Sequence, residues 1–320
     1  MPLDHYISQV HLKNFYSSEL GERMYAIRKA DQKSFTTNAQ SVCRIESGST
    51  NTYLRDERII EEFLKEIEPR YNASVAKALE LNFDCENIYV IAGFVAYVLT
   101  CSPAAMRIHS ELFRGSVEES ARALDKQGQF PPPPEELGGS SLTELMEEGK
   151  ISIEIDEKYP QAYGIASILS HVATFGNSAW EVLVNPFSDS PFFTSDYPIA
   201  IESSGNPMVL NRVVPLTPML AIRIIPDIHL DRANPDYGFR RFTYKRKQLS
   251  RSEVRGLNQL FVRCAESLVF LSRMESWAPR FVERNSGFRI EPAMHRIPHE
   301  ENTLLWFTQE VAPVGRSIVA

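Results

Sequence analysis

The sequence predicts an α+β protein in which a helix-rich N-terminal half packs against a mixed or antiparallel sheet from the C-terminal half. Helical patterns of apolar and charged residues dominate the chain from residue 57 to residue 126. From Trp180 onward, short β-type runs alternate with turn residues. Helices concentrated early and strands concentrated late are typical of α+β proteins and not of regular β-α-β alternation. With 320 residues, 43% of them hydrophobic, the chain can bury one large core or two smaller ones.

The N-terminal half begins with strands and continues with helices. Two short strands are expected first, at residues 23–28 and 33–45. Residues 57–81 then predict a long amphipathic helix that Pro69 kinks or divides. A core helix or helix pair, interrupted at Pro103, is expected next. Residues 87–106 are uncharged and have the length of a membrane span, but their strongly apolar part is only about half as long, so we expect a buried helix and no membrane association.

A proline-rich loop divides the chain. Pro131–Pro134 are four consecutive prolines, and they mark residues 127–140 as a surface loop or a stiff connector. We therefore predict a single domain over residues 1–320 with two lobes. The mainly helical lobe, with a short N-terminal strand pair, covers residues 1–126, and the sheet-containing lobe covers residues 141–320.

The C-terminal lobe mixes strands with helical patterns. Alternation of isoleucine with polar residues predicts a half-buried strand at residues 151–155. Helices are expected at residues 161–175 and 250–264, and a last core strand at residues 267–271. The proline-dotted tail after Pro279 is expected to be irregular.

Composition and missing motifs exclude several classes of protein. The net charge of -7 argues against a protein coated by nucleic acid over its whole surface, although a local basic groove remains possible. The four cysteines are scattered, so we expect reduced thiols in a cytoplasmic protein, no zinc site and no cofactor. The chain start has no secretory pattern. It has no Gly-x-Ser-x-Gly elbow, Walker loop or Gly-x-Gly-x-x-Gly, which argues against common hydrolases, P-loop NTPases and dinucleotide-dependent oxidoreductases.

The first sixteen residues carry the most informative pattern. His5, Gln9, Leu12 and Phe15 recur at helical spacing, which predicts that two polar and two apolar side chains share one helix face. The apolar pair would dock the segment on the core. Docking would carry His5 and Gln9 inward.

These residues resemble the N-terminal signature of a bacterial family of unknown function, His-Tyr-x-Pro-Gln-x-x-Leu-x-x-Phe, with Ser8 in place of the proline. Residues 191–198 contain the complete Phe-x-Thr-Ser-Asp-x-Pro motif of the same family, and residues 215–218 match its Pro-Leu-Ser-Pro-like element. Asn258 occupies a place where the family tends to carry asparagine. The resemblance spans most of residues 5–270 and implies a site made from His5, Gln9, Asp196 and Asn258.

Two interpretations of that site are open. A histidine beside a carboxylate is a general acid–base pair, so His5 and Asp196 are candidate catalytic residues. Gln9 and Asn258 would add neutral donors that orient a substrate, and Ser195 would contact it. In the structural alternative, His5 anchors the N-terminus and the Thr-Ser-Asp motif caps a turn.

One basic run stands out in this acidic chain. Residues 240–255 contain seven basic residues and one acid, and the aromatic residues Phe242 and Tyr244, with Phe239 just before the range, interleave with them. Such a pattern suits phosphate contacts combined with base stacking. We therefore predict substrate binding by Arg240, Arg241, Lys245, Arg246, Lys247 and Arg251. The alternative is a solvated surface that pairs with the acidic residues between positions 57 and 68.

Together these features favour an intracellular enzyme that acts on a phosphate-containing substrate, with RNA or a nucleotide as the expected partner. A metal-independent ribonuclease-like effector is the leading hypothesis, because the 2′-hydroxyl can serve as nucleophile for an acid–base pair. The resemblance adds an association with toxins or phage defence. A non-catalytic ligand-binding or sensing module is the first alternative, and a structural subunit of a complex is the second. The oligomeric state is left open.

Overall fold

A computed structural model describes residues 3–131, 138–206, 209–299 and 302–315, with the backbone alone for residues 298, 299, 302 and 303. The predicted proline loop is therefore described only at its two ends, and Pro132–Leu137 lie outside the described residues.

Ten α-helices are present in the described part of the chain. They are α1 (Gln9–Lys13), α2 (Ile59–Ile67), α3 (Tyr71–Leu79), α4 (Cys85–Cys101), α5 (Pro103–Lys126), α6 (Leu142–Glu147), α7 (Lys158–Ala166), α8 (Ile168–Gly176), α9 (Arg251–Cys264) and α10 (Ala278–Asn285). The strands are β1 (Leu3–His5), β2 (Met24–Arg28), β3 (Ser34–Thr37), β4 (Arg44–Glu46), β5 (Ala179–Val184), β6 (Thr194–Ser195), β7 (Ala200–Ser203), β8 (Leu210–Thr217), β9 (Leu220–Ile225), β10 (Thr243–Gln248), β11 (Leu268–Leu271), β12 (Phe288–His299) and β13 (Asn302–Pro313).

Helix α4 forms the centre of the helical layer. Nearly all of its side chains are buried, and α3, α7 and α8 pack around it. The Asp84 carboxylate caps its first turn by accepting a hydrogen bond from the Asn87 backbone N–H (2.9 Å). Ser102 ends the helix in extended conformation and caps α5, which begins with Pro103. The predicted helix pair and its break at Pro103 are confirmed.

Within the described residues, no single helix has both the length and the apolar composition of a membrane span. The pair α4 and α5 reaches that length and composition jointly but is bent by 60°.

Two sheets confirm the α+β class. The larger has the order β10-β5-β9-β8-β7, in which β10 runs parallel to β5 and the other neighbours are antiparallel. The smaller has the order β3-β2-β11-β6 and is antiparallel throughout. Strands from the first 40 residues therefore pair with strands from the last third of the chain, and one buried cluster runs from Ile7 to Ile290. The sheet and the core are shared between the two predicted lobes.

Three local predictions were wrong. The N-terminal helix starts at Gln9, because His5 belongs to β1, which pairs with β4. Residues 151–155 alternate in burial but form no strand in the described structure, since no other segment pairs with them. The tail after Pro279 is not irregular: it contains most of α10 and the β12–β13 hairpin. Pro292 and Pro298 obscured this hairpin in the sequence, although a two-stranded ribbon has free edges where proline is tolerated.

Candidate functional site

The N-terminal segment buries a different histidine from the one that the sequence singled out. His11 is fully buried, as are Leu12 and Phe15, while His5 and Gln9 are only half-buried. Ser8, His11, Leu12 and Phe15 follow the spacing i, i+3, i+4 and i+7, so they form the inward face. That spacing is visible in the sequence and was the signal that could have identified His11.

His11 joins three distant elements. Its Nδ1 lies 2.8 Å from the Tyr71 hydroxyl of α3, and its Nε2 lies 2.9 Å from the Thr194 hydroxyl of β6. Its ring stacks on Phe94 of α4 with centroids 4.7 Å apart. Burial lowers the pKa of His11 to about 3, so the imidazole is neutral at pH 7.

His5 and Gln9 contact each other near the surface. The Gln9 Nε2 lies 3.4 Å from His5 Nδ1, and His5 Nε2 lies 3.3 Å from the Gln40 carbonyl oxygen. The Tyr97 hydroxyl donates to the His5 carbonyl oxygen at 2.6 Å. Burial lowers the pKa of His5. These bonds tie β1 to α1, to the segment before β4 and to α4.

The second signature forms a buried segment, Pro191–Tyr197, which we name the core segment. Asn258 of α9 is fully buried beneath it and binds its backbone twice: its Nδ2 donates to the Pro191 carbonyl (2.9 Å), and its Oδ1 accepts from the Phe193 N–H (3.0 Å). The Phe192 N–H donates to the Pro218 carbonyl at 2.8 Å. The N-terminal segment, the Pro-Leu-Thr-Pro element and α9 therefore all bind the core segment.

Asp196 is also part of this buried framework. Its two carboxylate oxygens accept hydrogen bonds from the Glu266 N–H (3.1 Å) and the Ser267 N–H (2.8 Å). Burial raises the pKa of Asp196 to about 7, against the lowering effect of the Ser267 N–H. Lys29 lies nearby and donates to the Ala265 carbonyl at the end of α9 (2.5 Å). The carboxylate thus fixes the turn between α9 and β11.

The predicted catalytic set does not meet at one point. His5 contacts Gln9, Gln40 and Tyr97, whereas Asp196 contacts the backbone of residues 266–268, so the two share no described partner. Ser195 is buried and its hydroxyl accepts from the Tyr197 N–H. The described geometry does not form the His5–Asp196 pair, and the catalytic roles stay a prediction.

The basic run divides into two regions. Arg241, Lys245 and Lys247 form ion pairs with Asp227, Glu181 and Glu253 respectively, at 2.5–2.8 Å. Arg240 and Arg246 are exposed and have no ion pair among the described residues. Phe239 is buried, and Phe242 packs against Phe83 and Trp180. Tyr244 is 45% exposed, but its ring packs against Phe83 and Phe242 and its hydroxyl donates to the Leu81 carbonyl. These contacts hold the three rings against the chain itself.

Arg251 belongs to a separate cleft between α9 and α10, which we name the arginine cleft. Its volume is about 530 Å³. It is lined by Ser190, Arg251, Arg255, Asn258, Ser276, Trp277, Arg280, Phe281 and Arg284. Four of these nine described residues are arginines and none is acidic.

Two of the four arginines are placed where a helix disfavours positive charge. Arg251 and Arg280 lie in the first turns of α9 and α10, next to the positive end of each helix dipole. Arg255 and Arg284 follow four residues later on the same faces, where like charges repel. Arg284 also lies in the last turn of α10, where the helix dipole favours a positive charge. Among the described residues, Arg255, Arg280 and Arg284 have no ion-pair partner. Three of the four positive charges of the cleft thus have no carboxylate partner among the described residues.

Arg251 alone has a carboxylate partner. Its Nη1 lies 3.0 Å from both oxygens of Asp189, and its guanidinium lies over the Phe187 ring at 4.4 Å. Both charged side chains are about 60% exposed. An exposed ion pair contributes little to stability, so a competing anion can replace Asp189.

Sequence reasoning identified Arg251 and Asn258 at this site but missed the residues of α10. The missed signals were a proline in the first turn of a helix and the repeated spacing of four in Trp277–Phe281 and Arg280–Arg284. The exposed Trp277 ring and the arginines of α10 complete the cleft.

The fold and site define the class: an α+β protein with a buried motif segment beside an arginine-lined cleft. Over residues 4–275 the chain matches the family described as "Protein of unknown function (DUF4238)", and it belongs to that family. No curated protein and no solved structure matches it. The matched range ends before α10, so Trp277, Arg280 and Arg284 lie beyond it.

Proposed function

We propose that this protein binds a phosphate-containing ligand in the arginine cleft, with RNA or a nucleotide as the class that the sequence favours. The observation that carries the proposal is the group of four arginines, three of them without a described ion-pair partner. Guanidinium groups bind phosphate oxygens through paired hydrogen bonds. A bound phosphate chain would neutralise charges that otherwise repel each other across the cleft.

The chemistry of the lining favours a binding or sensing module over an enzyme. The nine described lining residues offer guanidinium, hydroxyl and aromatic groups but no imidazole or carboxylate, and the Asn258 amide is already bound to the core segment. A metal-independent hydrolase needs a general acid–base group within hydrogen-bond reach of the reacting proton. His5 has its hydrogen bonds to Gln40 and to Tyr97 of α4, and neither residue lines the cleft.

Replacing both arginines of α10 is expected to weaken binding of polyanions. With four phosphate contacts, the logarithm of the affinity for single-stranded RNA should fall with the logarithm of salt concentration with a slope of about -2.8. In Arg280→Gln/Arg284→Gln, two contacts are lost and the slope should fall to about -1.4. Fluorescence anisotropy with labelled RNA and with inorganic polyphosphate, over a salt series, measures both slopes.

The matched control is Arg240→Gln/Arg246→Gln, which removes the same charge from exposed arginines that also lack a described ion pair. This control should leave the slope within experimental error of the wild type. Equal losses in the two double variants would mean that binding depends only on net charge, and the cleft would then not be the binding site.

A metal-independent ribonuclease-like activity is the second candidate. One observation favours it: burial lowers the pKa of the half-buried His5, so its imidazole is neutral and can accept a proton at pH 7. On this hypothesis the wild type should cleave single-stranded RNA in EDTA, and His5→Ala should not. A denaturing gel decides between the candidates, because a wild type that binds RNA without cleaving it contradicts the ribonuclease.

A further inference from the structure

We infer that an unpaired base stacks on the outer face of Trp277, and that the ligand of the arginine cleft is therefore a single-stranded nucleic acid; this rests on the proposed function. Trp277 keeps 36% of its surface exposed and lines the cleft. One face of its ring stacks on Phe193, with centroids 5.6 Å apart and planes 18° apart. The exposed part of the ring is where a ligand can reach it.

The Trp277 ring is held by the core of the protein. Phe193 is 1% exposed and belongs to the core segment, where its backbone N–H is bound by Asn258. Phe281 meets Trp277 edge-on, with centroids 5.5 Å apart and planes at 90°. A ring fixed on two sides loses little entropy when a base stacks on it, so this surface is preorganised.

The neighbours of Trp277 favour a nucleic acid strand over other polyanions. Arg280 and Arg284 lie on α10, whose N-cap residue is Trp277, and Arg251 and Arg255 lie across the cleft on α9. Single-stranded nucleic acids bind where a positive groove follows the backbone and aromatic rings stack the bases. Inorganic polyphosphate has no base to stack. In duplex RNA the bases are already stacked inside the helix.

The test compares three ligands of similar charge: a single-stranded RNA of about eight nucleotides, a duplex RNA and inorganic polyphosphate. Trp277→Ala should weaken binding of the single strand by roughly 5- to 150-fold, the effect of one stacked base. Its affinity for polyphosphate should change less than about twofold, because the arginines remain. Trp277→Leu, which keeps an apolar cover over Phe193, should show the same selective loss and guards against misfolding.

Tryptophan fluorescence supplies a second measurement on the unmodified protein. Trp180 is fully buried, and Trp306 lies in the β12–β13 hairpin outside the cleft lining. Single-stranded RNA should therefore quench Trp277 emission in a saturable manner, and polyphosphate should not.

The outcomes separate the two proposals. The stacking inference is overturned if both Trp277 variants lose RNA and polyphosphate binding equally. It is also overturned if neither variant loses RNA binding. Persistence of polyphosphate binding in the wild type would then leave the arginine cleft as a site for phosphate alone. Failure of the wild type to bind any of the three ligands overturns both proposals.

Discussion

Asn258→Leu is expected to lower the free energy of unfolding by about 3 kcal/mol. The side chain is fully buried and binds the backbone of Pro191 and Phe193. Leucine has a similar size but leaves one buried carbonyl and one buried N–H without partners, at roughly 1–3 kcal/mol each. Part of this loss is offset because leucine is more favourably buried than an amide. Urea unfolding at neutral pH measures the change.

Gln259→Leu is the matched control for this variant. Gln259 is the next residue of α9, it is half-buried, and its side chain has no hydrogen bond in the described structure. Its replacement should change stability by no more than about 0.5 kcal/mol. If Asn258→Leu is as stable as the control yet loses ligand binding, then Asn258 acts on the ligand and not as a support for the core segment.

His11 is expected to make the protein sensitive to acid. The unfolded chain takes up a proton at His11 as the pH falls below about 6.5, whereas the folded protein, with a pKa of about 3, does not. The free energy of unfolding is therefore fully retained above pH 6.5 and falls by about 1.4 kcal/mol per pH unit below it. The expected loss from this group is about 3 kcal/mol at pH 4.5.

Other buried groups contribute to the same pH range. Burial lowers the pKa of His109 to about 4, which adds a loss of the same sign. Asp196 acts in the opposite direction: since burial raises its pKa to about 7, the folded state holds a proton that the unfolded state has released between pH 4 and 7. Burial also lowers the pKa of His5 and His171, so four histidines oppose this carboxyl group and we expect a net loss of stability on acidification.

His11→Gln isolates the contribution of His11. Glutamine keeps an amide donor and acceptor for the Tyr71 and Thr194 hydroxyls but does not titrate. Urea unfolding between pH 7 and 4.5 should give a shallower decrease for this variant, by about 3 kcal/mol over that range. The exposed His229→Gln serves as control and should reproduce the wild-type profile. Parallel profiles for wild type and His11→Gln would show that His11 is not a buried neutral histidine.

The sequence predicted those parts of the site that depend on local pattern. Arg251 was identified because the basic run is contiguous in the chain, and Asn258 because it occupies a place where the family tends to carry asparagine. Leu12 and Phe15 were correctly expected to dock the N-terminus on the core. The polar residues expected on the same inward face were His5 and Gln9, whereas the buried histidine is His11. The pairing of His5 with Asp196 could not be tested from sequence, since nearly two hundred residues separate them.

The pattern of apolar and polar residues along the chain determined the fold class. Proline determined the break between α4 and α5 at Pro103 and the division of α2 from α3 near Pro69, because it lacks a backbone donor and its ring clashes with a preceding turn. Tertiary structure alone decided that β2 pairs with β11 and that α10 packs on α9 to complete the arginine cleft. It also buried Asp196 and left Trp277 exposed. These outcomes depend on contacts between distant segments, and neither helical periodicity nor residue type specifies which distant segment supplies the partner.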